Sequence, residues 1–102
     1  MVQAQVTVYN SAVRAFEKGD FEMSLRLAKQ AHADSTGTDR NAALTLSVDC
    51  FLKLGRKKDA EVWLSGNAKM DKGEIDFIIH DRQKRLVDGN VRQKVFSEKV
   101  QP

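Results

Sequence analysis

Three glycines recur along the chain at a nearly constant interval, and this recurrence constrains the fold more than any other feature. Gly19, Gly55 and Gly89 are separated by 36 and 34 residues. Each of them follows an amphipathic stretch. Such intervals are typical of helical repeat proteins, in which one helix pair cannot bury its apolar faces alone and stacks on the next pair. The spacing therefore predicts antiparallel helix pairs that share one core.

The same apolar positions recur ahead of each glycine. Three residues before the glycines stand Phe16, Leu52 and Leu86, and eleven residues before them stand Val8, Leu44 and Ile78. The face of one helix is thus repeated three times, and a glycine at each turn allows the backbone to reverse without a Cβ clash.

Apolar residues spaced by three and four predict an all-α protein of five to six helices. The predicted helices span about 5–17, 21–33, 41–54, 59–64 and 74–87, and Val91, Val95 and Phe96 allow a short sixth. The segment 66–73 is predicted to be a loop. Within it, Asp71 and Glu74 have the spacing of a capping box. Pro102 is the only proline, so the interior lacks the residue that most reliably breaks helices.

Composition narrows the class of protein. With 102 residues, of which 41% are hydrophobic and 30% charged, the chain has the size and balance of one globular domain. The lone Cys50 has no partner for an internal disulfide or a thiolate metal site, so a reducing, cytoplasmic location is expected. No apolar run approaches the length of a membrane-spanning helix, and no membrane association is expected.

The first unit, residues 5–38, resembles a tetratricopeptide repeat (TPR). In AVRAFEKGDFEMSLRLAKQAHA, Gly19-Asp20-Phe21 match the family's turn, and Ser24 and Ala31 occupy its two small positions. The second unit, residues 41–74, keeps Gly55 and Ala60 but departs from the pattern at its remaining turn and small positions. Residues 75–102 form a degenerate third unit or capping helices.

The resemblance implies a short right-handed superhelix whose first helices line a groove for a partner's peptide or helix. Carried over position by position, the groove residues would be Tyr9, Asn10, Val13, Glu17, Thr45, Leu46, Asp49, Lys53, Ile79, His80 and Gln83. One subclass of the family grips C-terminal carboxylates of chaperones through lysine and asparagine at three of these places. Here they are Tyr9, Val13 and Leu46, so that clamp is absent and a less polar ligand is expected.

A protein-interaction role as a small chaperone or adaptor is therefore the first hypothesis. A homodimer is a further expectation, because repeat arrays need their ends covered and the third unit is short. The alternative is nucleic-acid binding, since residues 52–102 hold twelve Lys and Arg against eight Asp and Glu. Its candidate basic patch comprises Arg56, Lys57, Lys58, Arg82 and Arg85.

An enzyme is not predicted, and neither a cofactor nor a metal is expected. His32 and His80 show no metal-binding spacing, and the sequence contains no phosphate loop and no Rossmann fingerprint. Cys50 lies in an apolar stretch, where cysteine usually acts as a small hydrophobe. Trp63 is expected to pack in the core rather than to anchor a ligand.

Overall fold

The computed structural model describes residues 2–89, with side chains from Val8 onward, and this part of the chain is all-helical, with no strand. The five helices are α1 (Val2–Glu17), α2 (Phe21–Asp34), α3 (Gly37–Lys53), α4 (Lys57–Asn67) and α5 (Lys72–Asp88). The predicted sixth helix, and the basic residues Arg92, Lys94 and Lys99, lie outside the described residues.

Side-chain caps fix where two of the helices begin. Asp20 accepts a hydrogen bond from the Met23 amide at 3.2 Å and starts α2. The predicted capping box is confirmed at α5: the Glu74 amide donates to Asp71 Oδ1 at 2.8 Å, and the Asp71 amide donates to Glu74 Oε1 at 2.9 Å. Each bond satisfies an amide that has no partner within the helix.

The recurring glycines do end the first helix of each predicted pair. Gly19, Gly55 and Gly89 have φ angles of 83°, 72° and 70°. This left-handed region is the conformation in which helices commonly terminate, and residues with a Cβ adopt it only with strain. The prediction that these glycines mark turns is therefore confirmed.

Most helix ends differ from the prediction by one to four residues, in part because the apolar pattern does not register polar first and last turns. α3 begins at Gly37 rather than at residue 41. The acidic Asp39 lies in its first turn, where the positive end of the helix dipole stabilises its negative charge. α4 extends to Asn67, whose side-chain amide donates to the Trp63 carbonyl at 2.9 Å. The predicted loop 66–73 shortens to 68–71.

Consecutive helices pack on each other, and α3 lies at the centre. It contacts α1, α2, α4 and α5. It also contributes the largest share of the buried core, which comprises Tyr9, Ala12, Val13, Leu25, Ala28, Ala31, Ala43, Leu44, Leu46, Val48, Cys50, Phe51, Ala60, Leu64, Ile75 and Ile79. The dense apolar pattern of this helix in the sequence reflects contact on several sides.

Small residues let α1, α2 and α3 approach closely. The Ser24 hydroxyl donates to the Ala12 carbonyl at 2.7 Å and lies 3.3 Å from Cys50 Sγ, which donates to it. All three residues are fully buried. The hydroxyl and the thiol thus have partners inside the core, as buried polar groups require.

Trp63 joins α4 to α2 and α3. Its indole Nε1 donates to the Leu44 carbonyl at 3.2 Å, and its ring meets the His32 ring edge to face at a centroid distance of 5.0 Å. Trp63 packs against the core, as predicted. His32 is 4% exposed and is therefore held in an apolar environment.

His32 should make the fold sensitive to acid. Burial, followed by the charge of Arg40, lowers the pKa of His32 below its ordinary 6.5. The unfolded chain then binds a proton at His32 more readily than the folded chain does. The stability that neutral His32 allows is therefore fully present above pH 6.5, and it is lost as the pH drops towards the pKa of His32 in the folded chain. Between pH 7.5 and 5.5, the free energy of unfolding obtained from thermal denaturation should fall by up to about 1.4 kcal/mol for each pH unit. His32→Phe should abolish this pH dependence, whereas His80→Gln, at an exposed position, should keep it. The reverse result would contradict the assignment to His32.

Candidate interaction site

The inner face predicted to form an open groove is largely filled. Six of the eleven predicted groove residues lie in the core with exposed fractions of 2% or less: Tyr9, Asn10, Val13, Leu46, Asp49 and Ile79. In this structure these six side chains are therefore not accessible to a partner. The physical reason is that α5 packs on α3 and α3 on α1, so these side chains face neighbouring helices.

A buried ion pair joins α3 to α5 on this face. Arg82 Nε donates to Asp49 Oδ1 at 2.9 Å, and its terminal nitrogen donates to Oδ2 at 2.7 Å. The Asp49 side chain is 0% exposed and that of Arg82 is 18% exposed. The hydrogen bonds to Asp49 raise the pKa of Arg82. Burial, followed by the charge of Asp49, raises the pKa of Tyr9 to about 12.

The other predicted groove residues divide between two regions. Glu17, Thr45 and Lys53 are partly or fully exposed, and the Lys53 ammonium lies 5.8 Å from the centre of the Phe21 ring on α2. His80 and Gln83 lie together on α5, where they line a groove with the buried Ile79. The structure therefore brings together only the α5 members of the predicted set in an accessible place.

This accessible place is the groove between α4 and α5, here called the α4–α5 groove. Its apolar end is lined by Val62, Ser65, Met70 and Ile75, and its polar end by Lys57, Ile79, His80 and Gln83. Glu61, Lys72 and Asp76 border both ends. Val62 is 70% exposed, so its apolar side chain can still bury area at this end of the groove.

Charges of both signs surround the apolar end of the groove. Lys72 Nζ lies 3.6 Å from Asp76 Oδ2, one helical turn away, and both side chains are more than half exposed. Glu61 of α4 borders the same end, while Lys57 lies at the polar end. An apolar centre with a mixed polar rim is the usual composition of a protein-binding surface.

Val62, Met70 and Lys72 were not predicted as site residues. A signal for Val62 was present in the sequence, because Ala60, Trp63 and Leu64 form the inward face of α4 and Val62 lies off that face. The position of α5 beside it could not be read from the same pattern, because the short loop that joins the two helices carries no periodic signal of their angle.

The predicted basic patch is not continuous. Arg82 is bound to Asp49, Arg85 pairs with Asp81 at 3.0 Å, and Arg56 pairs with Asp59 at 2.7 Å. Lys57 and Lys58 are exposed, but Lys57 lines the α4–α5 groove. Both α5 members of the patch, Arg82 and Arg85, are therefore paired with aspartates, and each of its three arginines has its charge balanced by a neighbouring carboxylate. This counts against nucleic-acid binding through these residues.

Cys50 is not placed to act as a nucleophile. Burial raises the pKa of its thiol to about 12, while a reactive cysteine needs a lowered one and access to solvent. Among the side chains that the structure describes, no three His, Cys, Asp or Glu residues converge as metal ligands.

None of the described helices combines the length and the apolar character needed to cross a bilayer. Comparison with known proteins adds no relative: no protein-family model matches the chain, and no match is found among curated proteins or among solved structures.

Proposed function

We propose that the chain is a cytoplasmic protein-interaction module, a small chaperone or adaptor, that binds a partner's peptide or helix in the α4–α5 groove. The observation that carries this proposal is the exposed apolar end of the groove around Val62, bordered by charged residues of both signs. The TPR resemblance implies a ligand surface on the inner face. Because that face is filled, we assign the ligand to the α4–α5 groove instead.

A TPR-like right-handed stacking of the helix pairs is part of the proposal. It is supported by the three turn glycines with positive φ and by the order of helix contacts along the chain. It is also supported by Ser24, a small residue at a family position, which makes the close crossing of α2 over α1.

The groove suits an amphipathic segment for a simple reason. Val62, Met70 and Ile75 offer apolar area to the partner's apolar face, while Lys57, Glu61, Lys72 and Asp76 can pair with its flanking charges. Methionine adds adaptability, because its unbranched side chain fills irregular gaps. Burial of exposed apolar area stabilises such a complex by about 25 cal/mol per Å² before the losses of freedom on binding are subtracted.

Val62→Asp should abolish most of the partner affinity without destabilising the fold. A photoreactive amino acid at Ser65, beside the groove, would first identify the partner by crosslinking in the source cell. Titration of that purified partner should then show affinity lower by roughly tenfold or more, as for a central residue of an interface. The melting temperature should hardly change, since Val62 is 70% exposed.

Val87→Asp is the matched control, because it makes the same chemical change at an 86% exposed valine that does not line the groove. Equal affinity of the two variants would reject the groove as the binding site. Light scattering over a range of concentrations covers the predicted homodimer: a dimer that Val62→Asp dissociates and Val87→Asp does not would place a second copy of the chain in the groove.

A further inference from the structure

Three cationic side chains lie over aromatic rings where α2, the end of α3 and the start of α4 meet. Lys29 Nζ is 5.2 Å from the centre of the Phe51 ring and 5.7 Å from that of Trp63. Arg56 Cζ is 5.1 Å from the Phe51 centre. With Lys53 over Phe21, these residues form what we call the cation ridge: Lys29, Lys53 and Arg56.

The charge of the ridge is incompletely balanced. Within residues 8–89, Lys29 and Lys53 form no ion pair, and only Arg56 has an acidic partner, Asp59. Lys29 and Arg56 lie over the same ring, so their charges are at most about 10 Å apart. At that separation like charges still repel in physiological salt, and an anion placed between them would relieve the repulsion.

The rings also hold the cations in place. A cation over an aromatic face is attracted by the negative charge density of the ring. Side chains restrained in this way lose less conformational freedom when they bind an anion, which favours binding at this place over binding to an unrestrained surface lysine.

We propose that the cation ridge binds an acidic peptide segment, rich in Asp and Glu, of a partner protein. Nucleic acid is less well matched for two reasons. Phe51, which lies under two of the three cations, is only 3% exposed, so its ring offers no face on which a base could stack. The ridge also has only three cations, whereas affinity for a phosphate backbone grows with the number of neutralised phosphates. The ridge is separate from the α4–α5 groove, and either proposal can fail alone.

The test is a titration of the full chain with a fluorescent poly-glutamate peptide, and separately with a poly-dT oligonucleotide of equal charge, at low salt. Lys29→Gln/Lys53→Gln should weaken peptide binding by roughly fivefold, the effect of losing two exposed ion pairs. The matched control is Lys69→Gln/Lys84→Gln, which removes the same charge from two exposed lysines outside the ridge and should leave the affinity within about twofold.

Lys29→Arg/Lys53→Arg keeps charge and ring contacts and should bind like the unmodified chain, which separates loss of binding from loss of folding. Equal weakening by both glutamine variants would overturn the proposal in favour of a diffuse charge effect. Absence of peptide binding at low salt would overturn it outright. Tighter, ridge-dependent binding of the oligonucleotide would replace it with a nucleic-acid site. In each case Val62→Asp should leave the peptide titration unchanged.

Discussion

Arg82→Met is expected to lower the free energy of unfolding by about 3–5 kcal/mol, because it leaves the Asp49 carboxylate buried without its cation. The pair is bidentate, with distances of 2.9 and 2.7 Å, and the Asp49 side chain is 0% exposed, so water cannot take over the role of the guanidinium. Since small domains have a total stability of about 5–15 kcal/mol, the variant should lose a substantial part of its stability. Urea titration followed by circular dichroism measures the change.

Two further variants determine whether the loss arises from the buried charge. Arg85→Met removes the exposed i,i+4 pair with Asp81 and should cost less than about 0.5 kcal/mol. Asp49→Leu/Arg82→Met replaces both charged side chains with apolar ones and should recover most of the lost stability, because no buried carboxylate is left without its cation. A double variant as unstable as Arg82→Met would show that the pair itself, rather than the buried carboxylate left without Arg82, holds α5 in place.

Trp63→Ala should cost about 3 kcal/mol, the lower end of the loss on removing a large aromatic side chain, because Trp63 is only partly buried against the core. From α4 the indole contacts two other helices: on α3 it donates to the Leu44 carbonyl and lies 6.5 Å from the Phe51 ring centre, and on α2 it meets His32 edge to face. Its removal leaves a cavity between α2, α3 and α4 that these helices can only partly close. Thermal or urea unfolding of the purified variant gives the measurement.

Trp63→Phe separates the two contributions of the indole. It retains an aromatic ring against His32 and Phe51 but removes the Nε1 donor to Leu44. Loss of this hydrogen bond should lower the free energy of unfolding by about 1 kcal/mol, and the smaller ring adds a further loss of packing. Losses of equal size in Trp63→Ala and Trp63→Phe would assign the whole effect to the hydrogen bond. That result would contradict the packing role described above.

Features of the fold that depend on neighbouring residues could be predicted from the sequence. The turn glycines and the Asp71–Glu74 capping box are local, since their geometry is determined within one helical turn. The all-helical class followed from apolar periodicity for the same reason. Boundaries were less accurate, as at the start of α3, because a polar first turn can continue a helix without adding an apolar residue.

The candidate site could not be predicted to the same extent. Asp49 and Arg82 are 33 residues apart, and neither lies in a pattern that reveals the other. A family-based transfer put Asp49 in an open groove, whereas packing of α5 on α3 buries it. The groove beside Val62 depends on how α4 meets α5, which is determined by tertiary packing that no local spacing encodes.

Because Cys50 is buried where α3 packs on α2 at Ser24, the reactivity of its thiol reports on movements of these two helices. Its thiol lies between α2 and α3, fully buried and donating to the Ser24 hydroxyl. A reagent that alkylates thiols can reach it only when these two helices separate. The rate at which the native protein is labelled therefore measures how often its central helix pair opens, with no engineered probe.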